Sequence, residues 1–155
     1  MDSEANDLFM NLHLAIIWFL VGFVLVNGLK ALHILGSGKR QEKKSVNKNV
    51  NPAQFTQYAY RKSLPYTPVY YLTVWTLCST FYFLQHTPAN IYKDALLTGI
   101  FWWLLTLLLE NLLWTVVRHR FQLTPKEMYM HSQPWISLAY YAVLISPLVL
   151  SMILA

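Results

Sequence analysis

Long apolar blocks separated by short polar connectors set the architecture of this chain. Leu12 to Leu35 holds one Asn, one Lys and two His among 24 residues. Pro65 to Gln85 carries no charge, Ala95 to Val117 carries only Glu110, and Gln133 to Ala155 carries none. A helix of roughly 20 apolar residues crosses the hydrocarbon core of a bilayer, and four blocks meet that length. Continuous apolar runs lack the alternation of a membrane barrel, so helices are the spanning elements. The pattern predicts an all-α, polytopic integral membrane protein with a single membrane domain over residues 1–155. It is a four-transmembrane-helix bundle with spans at about 12–35, 68–84, 92–117 and 134–155.

The connectors carry their own signals. Gly36-Ser37-Gly38 is expected to end the first helix, and residues 38–50 read as a solvated basic loop. Asn51-Pro52-Ala53-Gln54 combines an N-cap, a first-turn proline and a capping-box partner, with Val50 and Phe55 as a hydrophobic staple. A short interfacial helix from Pro52 to about Lys62 follows, bearing Phe55, Tyr58, Tyr60 and two basic heads. The second span starts near Pro68 and is rich in hydroxyls: Tyr70, Tyr71, Thr73, Thr76, Ser79, Thr80 and Tyr82. The loop His86 to Asn90 is short, so the second and third spans are expected to be antiparallel neighbours. Thr124-Pro125-Lys126-Glu127 repeats the capping box and predicts a second short interfacial helix to about Ser132. Pro147 should kink the fourth span.

The two halves share an order: span, basic loop, proline-started short helix, proline-started span. At an offset of 84, Trp18 falls on Trp102 and Asn27 on Asn111, with Ile16, Leu20, Leu25 and Leu29 also matched. A parallel tandem repeat of two helical hairpins is one reading, with Asn27 facing Asn111 across a pseudo-two-fold axis. Chance similarity in an apolar alphabet is the other.

Composition then narrows the class. Apolar residues make up 55% of the chain and charged residues 12%, against about 25% charged in soluble domains. That balance excludes disorder and argues against an ordinary cytosolic enzyme. The net charge of +5 is unevenly spread: ten of the twelve basic residues lie in 36–66 and 118–133, Lys30 flanks the first of these regions at the inner end of the first span, and only Lys93 lies on the other side. Positive-inside bias makes those two loops cytoplasmic and places both termini outside, in a plasma membrane. The same basic loops suit anionic lipid head groups, so no nucleic acid partner is expected. The segment before the first block has Asp2, Glu4 and Asp7 without Lys or Arg. It is the reverse of a secretory leader, and the first block is read as a span. Cys78, the single cysteine, reads as a small packing residue.

Glu110 is the most informative residue. It stands eight residues before Arg118, about 12 Å from the helix end by helical rise. A carboxylate at that depth must be paired, protonated or wet. One reading is a proton or cation site with Trp103, Thr106 and Trp114 on the same helical face, Asn111 beside it, and aromatic rings to hold an organic cation. The other is a polar clamp between helices, to Lys30 or Asn27. Lys30 either snorkels to the interface or pairs with Glu110. Arg118, His119, Arg120 and His131 could contact a phosphate or lipid head group, while positive-inside anchoring explains the arginines without one. The scattered histidines make no metal motif, no cofactor is expected, and there is no Walker loop, GxSxG or HExxH.

These features lead to a small transporter or ion-coupled permease that uses Glu110 as its intramembrane carboxylate. Two alternatives stay open: an accessory or regulatory subunit of a larger membrane complex, and a membrane enzyme acting on a lipid-like, phosphate-bearing substrate. The enzyme is the weakest, because no nucleophile and base stand at a defined spacing. A homo-oligomer or a membrane-protein partner is expected, since four helices enclose little space. In the transporter reading, Glu110→Gln abolishes activity while the fold survives.

Overall fold

The computed structural model describes residues 2–42, 52–88, 90–113, 126 and 130–154, with side chains placed within 12–37 and from 58 onward. The chain is all-helical, with no strand among the described residues. The helices are α1 (Asp2–Glu42), α2 (Pro52–Ser63), α3 (Thr67–Gln85), α4 (Ile91–Asn111) and α5 (Trp135–Leu154), and one 3-10 turn, Leu64–Tyr66, joins α2 to α3. α1, α3, α4 and α5 make a four-helix bundle, and α2 packs beside α1. The predicted second interfacial helix and the end of the predicted third span fall largely outside the described residues.

Three helices are long and apolar enough to cross a membrane: α1 over Leu12–Ser37, α4 and α5. α3 has the length but not the apolarity, because of its hydroxyls. Several of these bond within the helix: Ser79 Oγ donates to Trp75 O at 2.7 Å and Thr80 Oγ1 to Thr76 O at 2.9 Å. Packing against both α1 and α5 covers much of α3 and relieves it of facing outward. The bundle holds polar groups within its apolar core and shows apolar side chains on its outer surface. Lys30, Ser79, Thr106, Glu110 and Ser146 are buried, while Val24, Leu32, Leu108, Met152 and Ile153 are exposed. Water-soluble proteins bury such apolar groups and seldom bury such polar ones.

α1 does not stop at Gly36-Ser37-Gly38 but continues to Glu42. Glycine in a helix costs only about 1 kcal/mol relative to alanine, and a glycine that ends a helix adopts a left-handed conformation. No described glycine does so here. At the start of α4, the Asn90 side chain accepts a hydrogen bond from Lys93 N at 3.1 Å, an N-cap.

Around the bundle the order is α1, α3, α5, α4. α3 packs closely on α1 and α5, and α4 on α5, whereas the backbones of α1 and α4 approach sparingly. The expected α3–α4 neighbourhood is not found: the helices are consecutive and joined by a short loop, but they stand across the diagonal of the bundle and meet only through large side chains. Trp75 and Trp102 meet with ring centroids 5.3 Å apart, and Tyr82 reaches Trp102 at 6.0 Å. Phe19 of α1 stacks on Trp75 from the other side at 5.5 Å. These rings fill the centre of the bundle.

Glycine sets the closest approach of α4 to α5. A Cβ at Gly99 would lie 2.5 Å from the Leu144 carbonyl oxygen, which belongs to a helix backbone and cannot step aside. Nothing lies within 4 Å of a Cβ at Gly28. Gly99→Ala is therefore expected to destabilise the protein by about 1–3 kcal/mol. Gly28→Ala should be neutral or stabilising by up to about 1 kcal/mol. Thermal midpoints in mild detergent read both; equal midpoints for the two variants would contradict the close α4–α5 contact.

Candidate functional site

The buried faces of three helices converge on one polar cluster. On α4, Ala95, Gly99, Trp102, Thr106 and Glu110 recur at helical spacing and are all buried. On α1 the buried stripe is Ala15, Phe19, Gly22, Val26, Lys30 and Ile34. On α3, Tyr71 is in phase with Val74, Trp75, Cys78 and Tyr82. Each stripe faces the bundle interior because it is continuous over several turns. Lys30 and Glu110 are buried because they occupy positions that an apolar residue would otherwise fill.

Glu110 is fully buried and Lys30 is 5% exposed. Lys30 Nζ donates to Glu110 Oε1 at 2.9 Å and to the Tyr71 hydroxyl oxygen at 3.3 Å. The Tyr71 hydroxyl itself donates to the same Glu110 Oε1. The ammonium also lies 5.3 Å from the centroid of the Tyr71 ring, within the range of cation–π attraction. Both donors use one carboxylate oxygen. Glu110 Oε2 is equally buried and has no hydrogen-bond partner among the described residues. The pair is neutral as a whole, which is what makes two charges tolerable in a low-dielectric interior. A buried acceptor left unused is rare and calls for a physical reason.

The cluster sits on the seam between α1 and α4, where the backbones of neighbouring helices approach least. A second bridge crosses that seam: Trp102 Nε1 donates to Ala15 O at 2.8 Å. One bridge is an ion pair and the other a neutral hydrogen bond.

The other residues singled out by sequence are placed differently. Trp103 is half-buried against the apolar core, at the edge of the stripe that contains Glu110. Asn27 is half-buried, and its Nδ2 donates to Phe23 O one turn earlier at 2.9 Å. Asn111 and His131 are exposed. Trp114, Arg118, His119 and Arg120 lie outside the described residues. The tryptophans at the centre of the bundle are Trp75 and Trp102, and Tyr71 completes the charged cluster. Their phase with the apolar positions of α3 and α4 is the sequence signal that would have found them.

Two further polar groups flank the cluster along the bundle. His33, three residues after Lys30, has Nδ1 2.6 Å from the Tyr70 hydroxyl and packs its ring against Tyr66. At the opposite end, the Tyr82 hydroxyl donates to Asp94 Oδ2 at 3.0 Å, with His86 Nε2 3.8 Å from the same oxygen. No group of three or more His, Cys, Asp or Glu side chains that could hold a metal occurs among the described residues. Comparison with protein-family models, with curated proteins and with solved structures gave no match.

Proposed function

We propose that the protein is a small integral membrane transporter that couples movement of its cargo to the charge state of Glu110. One observation carries this reading: Glu110 Oε2 is buried and unused beside a paired Oε1. A carboxylate serving only as a clamp gains from engaging both oxygens. Half of this one is left for a proton or a small cationic donor. Ionisable groups inside a membrane bundle are costly and commonly mark such pathways.

The mechanism follows from charge balance. The site carries one negative charge and accepts one positive charge at a time. When a proton or cation takes Glu110, Lys30 loses its partner and α1 is released from α4 at the seam of least backbone contact. When the ion leaves, Lys30 returns and the seam closes. The protein is read as crossing the plasma membrane four times, with α3 as the covered fourth span. Both termini lie outside, and the basic loops lie against anionic lipid in the cytoplasm. The helices pair as two hairpins, α1/α3 and α4/α5, that meet through α3 and α5, whereas a parallel two-fold repeat would set α1 diagonally opposite α4 and α3 opposite α5. A homo-oligomer gives room for a path that four helices alone enclose poorly.

The complete closure of the ion pair favours a second reading, a structural clamp in an accessory subunit. Currents from proteoliposomes on a solid-supported membrane separate the two. Wild type is expected to give transient currents with a panel of monovalent cations and amines, and Lys30→Met/Glu110→Gln none while remaining folded. Silence of the wild type across the panel, together with a stoichiometric second protein on gentle extraction, would establish the subunit reading instead.

A further inference from the structure

The surroundings of Lys30 Nζ form a receptor for one particular chemical group. A carboxylate oxygen at 2.9 Å supplies charge, a phenol oxygen at 3.3 Å accepts a second N–H, and the face of the Tyr71 ring lies behind. Lys30 fills this receptor from α1 and engages Glu110 only through Oε1, leaving Oε2 without a donor. A free R–NH3+ group carries the same three N–H donors without the tether, and could bridge both carboxylate oxygens.

Other cations fit less well. A guanidinium spends a planar fork of two donors on the carboxylate, whereas this receptor gathers a carboxylate oxygen and a phenol oxygen around a single nitrogen. A quaternary ammonium has no N–H to offer Oε2. Two cations at once would leave a net positive charge in a buried site, which low-dielectric surroundings strongly disfavour. Occupancy by Lys30 and by an outside ammonium are therefore mutually exclusive.

We infer that Glu110 and Tyr71 form a binding site for the primary ammonium group of a small amine cargo, with Lys30 as its tethered competitor. This rests on the transport reading of the same site and names its cargo class. Tethering gives Lys30 a high effective concentration. Wild type therefore binds a free amine weakly, and apparent affinity rises once the competitor is removed.

The test uses radiolabelled methylammonium and the full chain in lipid nanodiscs. Lys30→Met is expected to bind it at least about tenfold more tightly than wild type, and Lys30→Met/Glu110→Gln is expected to lose binding. Tetramethylammonium and guanidinium should not compete. Equal affinity in wild type and Lys30→Met, binding that survives in the double variant, or equal competition by guanidinium would each overturn the proposal. If Lys30→Met does not fold, the wild type supplies the answer through acylation by an apolar N-hydroxysuccinimide ester. The ratio of Lys30 to Lys93 modification, read by mass spectrometry, should rise with methylammonium and not with tetramethylammonium. Lys93 is exposed and serves as the internal standard. An unchanged ratio would overturn the competition. Methylammonium flux into proteoliposomes separates this inference from the reading beneath it. Binding as expected without flux leaves the ammonium site standing and removes transport. Flux of other cations without methylammonium binding removes the ammonium site and leaves transport.

Discussion

Replacing Glu110 by Gln is expected to destabilise the protein by about 3–5 kcal/mol, and adding Lys30→Met to it should recover most of that loss. The reason lies in what each variant leaves behind. Glu110→Gln strands the Lys30 ammonium in a buried position with no counter-charge, although the amide can still accept from Tyr71. The double variant removes both charges and fills the space with groups of similar size. Replacing a buried pair in this way is often neutral or even stabilising. A double-mutant cycle on thermal midpoints in mild detergent gives the coupling directly. Singles that are each benign, with additive effects, would show that Lys30 and Glu110 do not meet in the folded protein. The sequence alone led to a different expectation, that Glu110→Gln spares the fold. The 2.9 Å pair with Lys30 revises it. The single variant mixes loss of function with loss of stability, and the neutral double variant is the informative one for flux.

Trp102→Ala is expected to cost about 3–5 kcal/mol, the range for emptying a buried aromatic position. Trp102 is fully buried. It contacts Trp75 and Tyr82 across the bundle centre and bonds to Ala15 O on α1. Its loss therefore opens a void and also removes the neutral bridge over the α1–α4 seam. Trp102→Phe separates the two contributions. It keeps most of the ring packing and loses the indole N–H, so the bridge alone should account for about 1 kcal/mol. The chain provides its own reporter, because Cys78 is the single cysteine and is buried on α3 against Gly22 of α1. Maleimide labelling of Cys78 should be faster in Trp102→Ala than in wild type, and little changed in Trp102→Phe. Equal labelling in all three proteins would mean that Trp102 does not hold the helices together.

The helical architecture was legible because apolar blocks of spanning length leave few alternatives. α2 and α3 begin at Pro52 and Thr67, next to the prolines that predicted them, although no side chain caps α3: Thr67 is itself helical and its hydroxyl donates to Ser63 O. Two features were not legible. The Gly36-Ser37-Gly38 stop failed because a glycine ends a helix only when the chain beyond it turns, and nothing local forces that. The packing order was hidden because adjacency in sequence says nothing about which side chains stand between two helices. Trp75, Trp102 and Tyr82 fill the space between α3 and α4. At the polar cluster, Lys30 and Glu110 could be named from their isolation in apolar text, and their pairing was one of two open readings. Tyr71 was hidden among many tyrosines, and only its phase with Val74, Trp75 and Cys78 sets it apart.

The length of α1 bears on how any movement at the seam would be felt elsewhere. Its 41 residues make a rod of about 62 Å, about twice the hydrocarbon thickness of a bilayer. The bond from Trp102 fixes α1 at Ala15, and Lys30 lies about 22 Å further along the rod, with Glu42 about 40 Å from the same point. With Ala15 as fulcrum, a tilt that separates Lys30 from Glu110 moves the far end of α1 nearly twice as far. A rigid α1 pivoting there would turn a small displacement among the buried charges into a larger stroke at its tip. A pair of spin labels, one on that tip and one on the body of the bundle, would read the stroke as a distance.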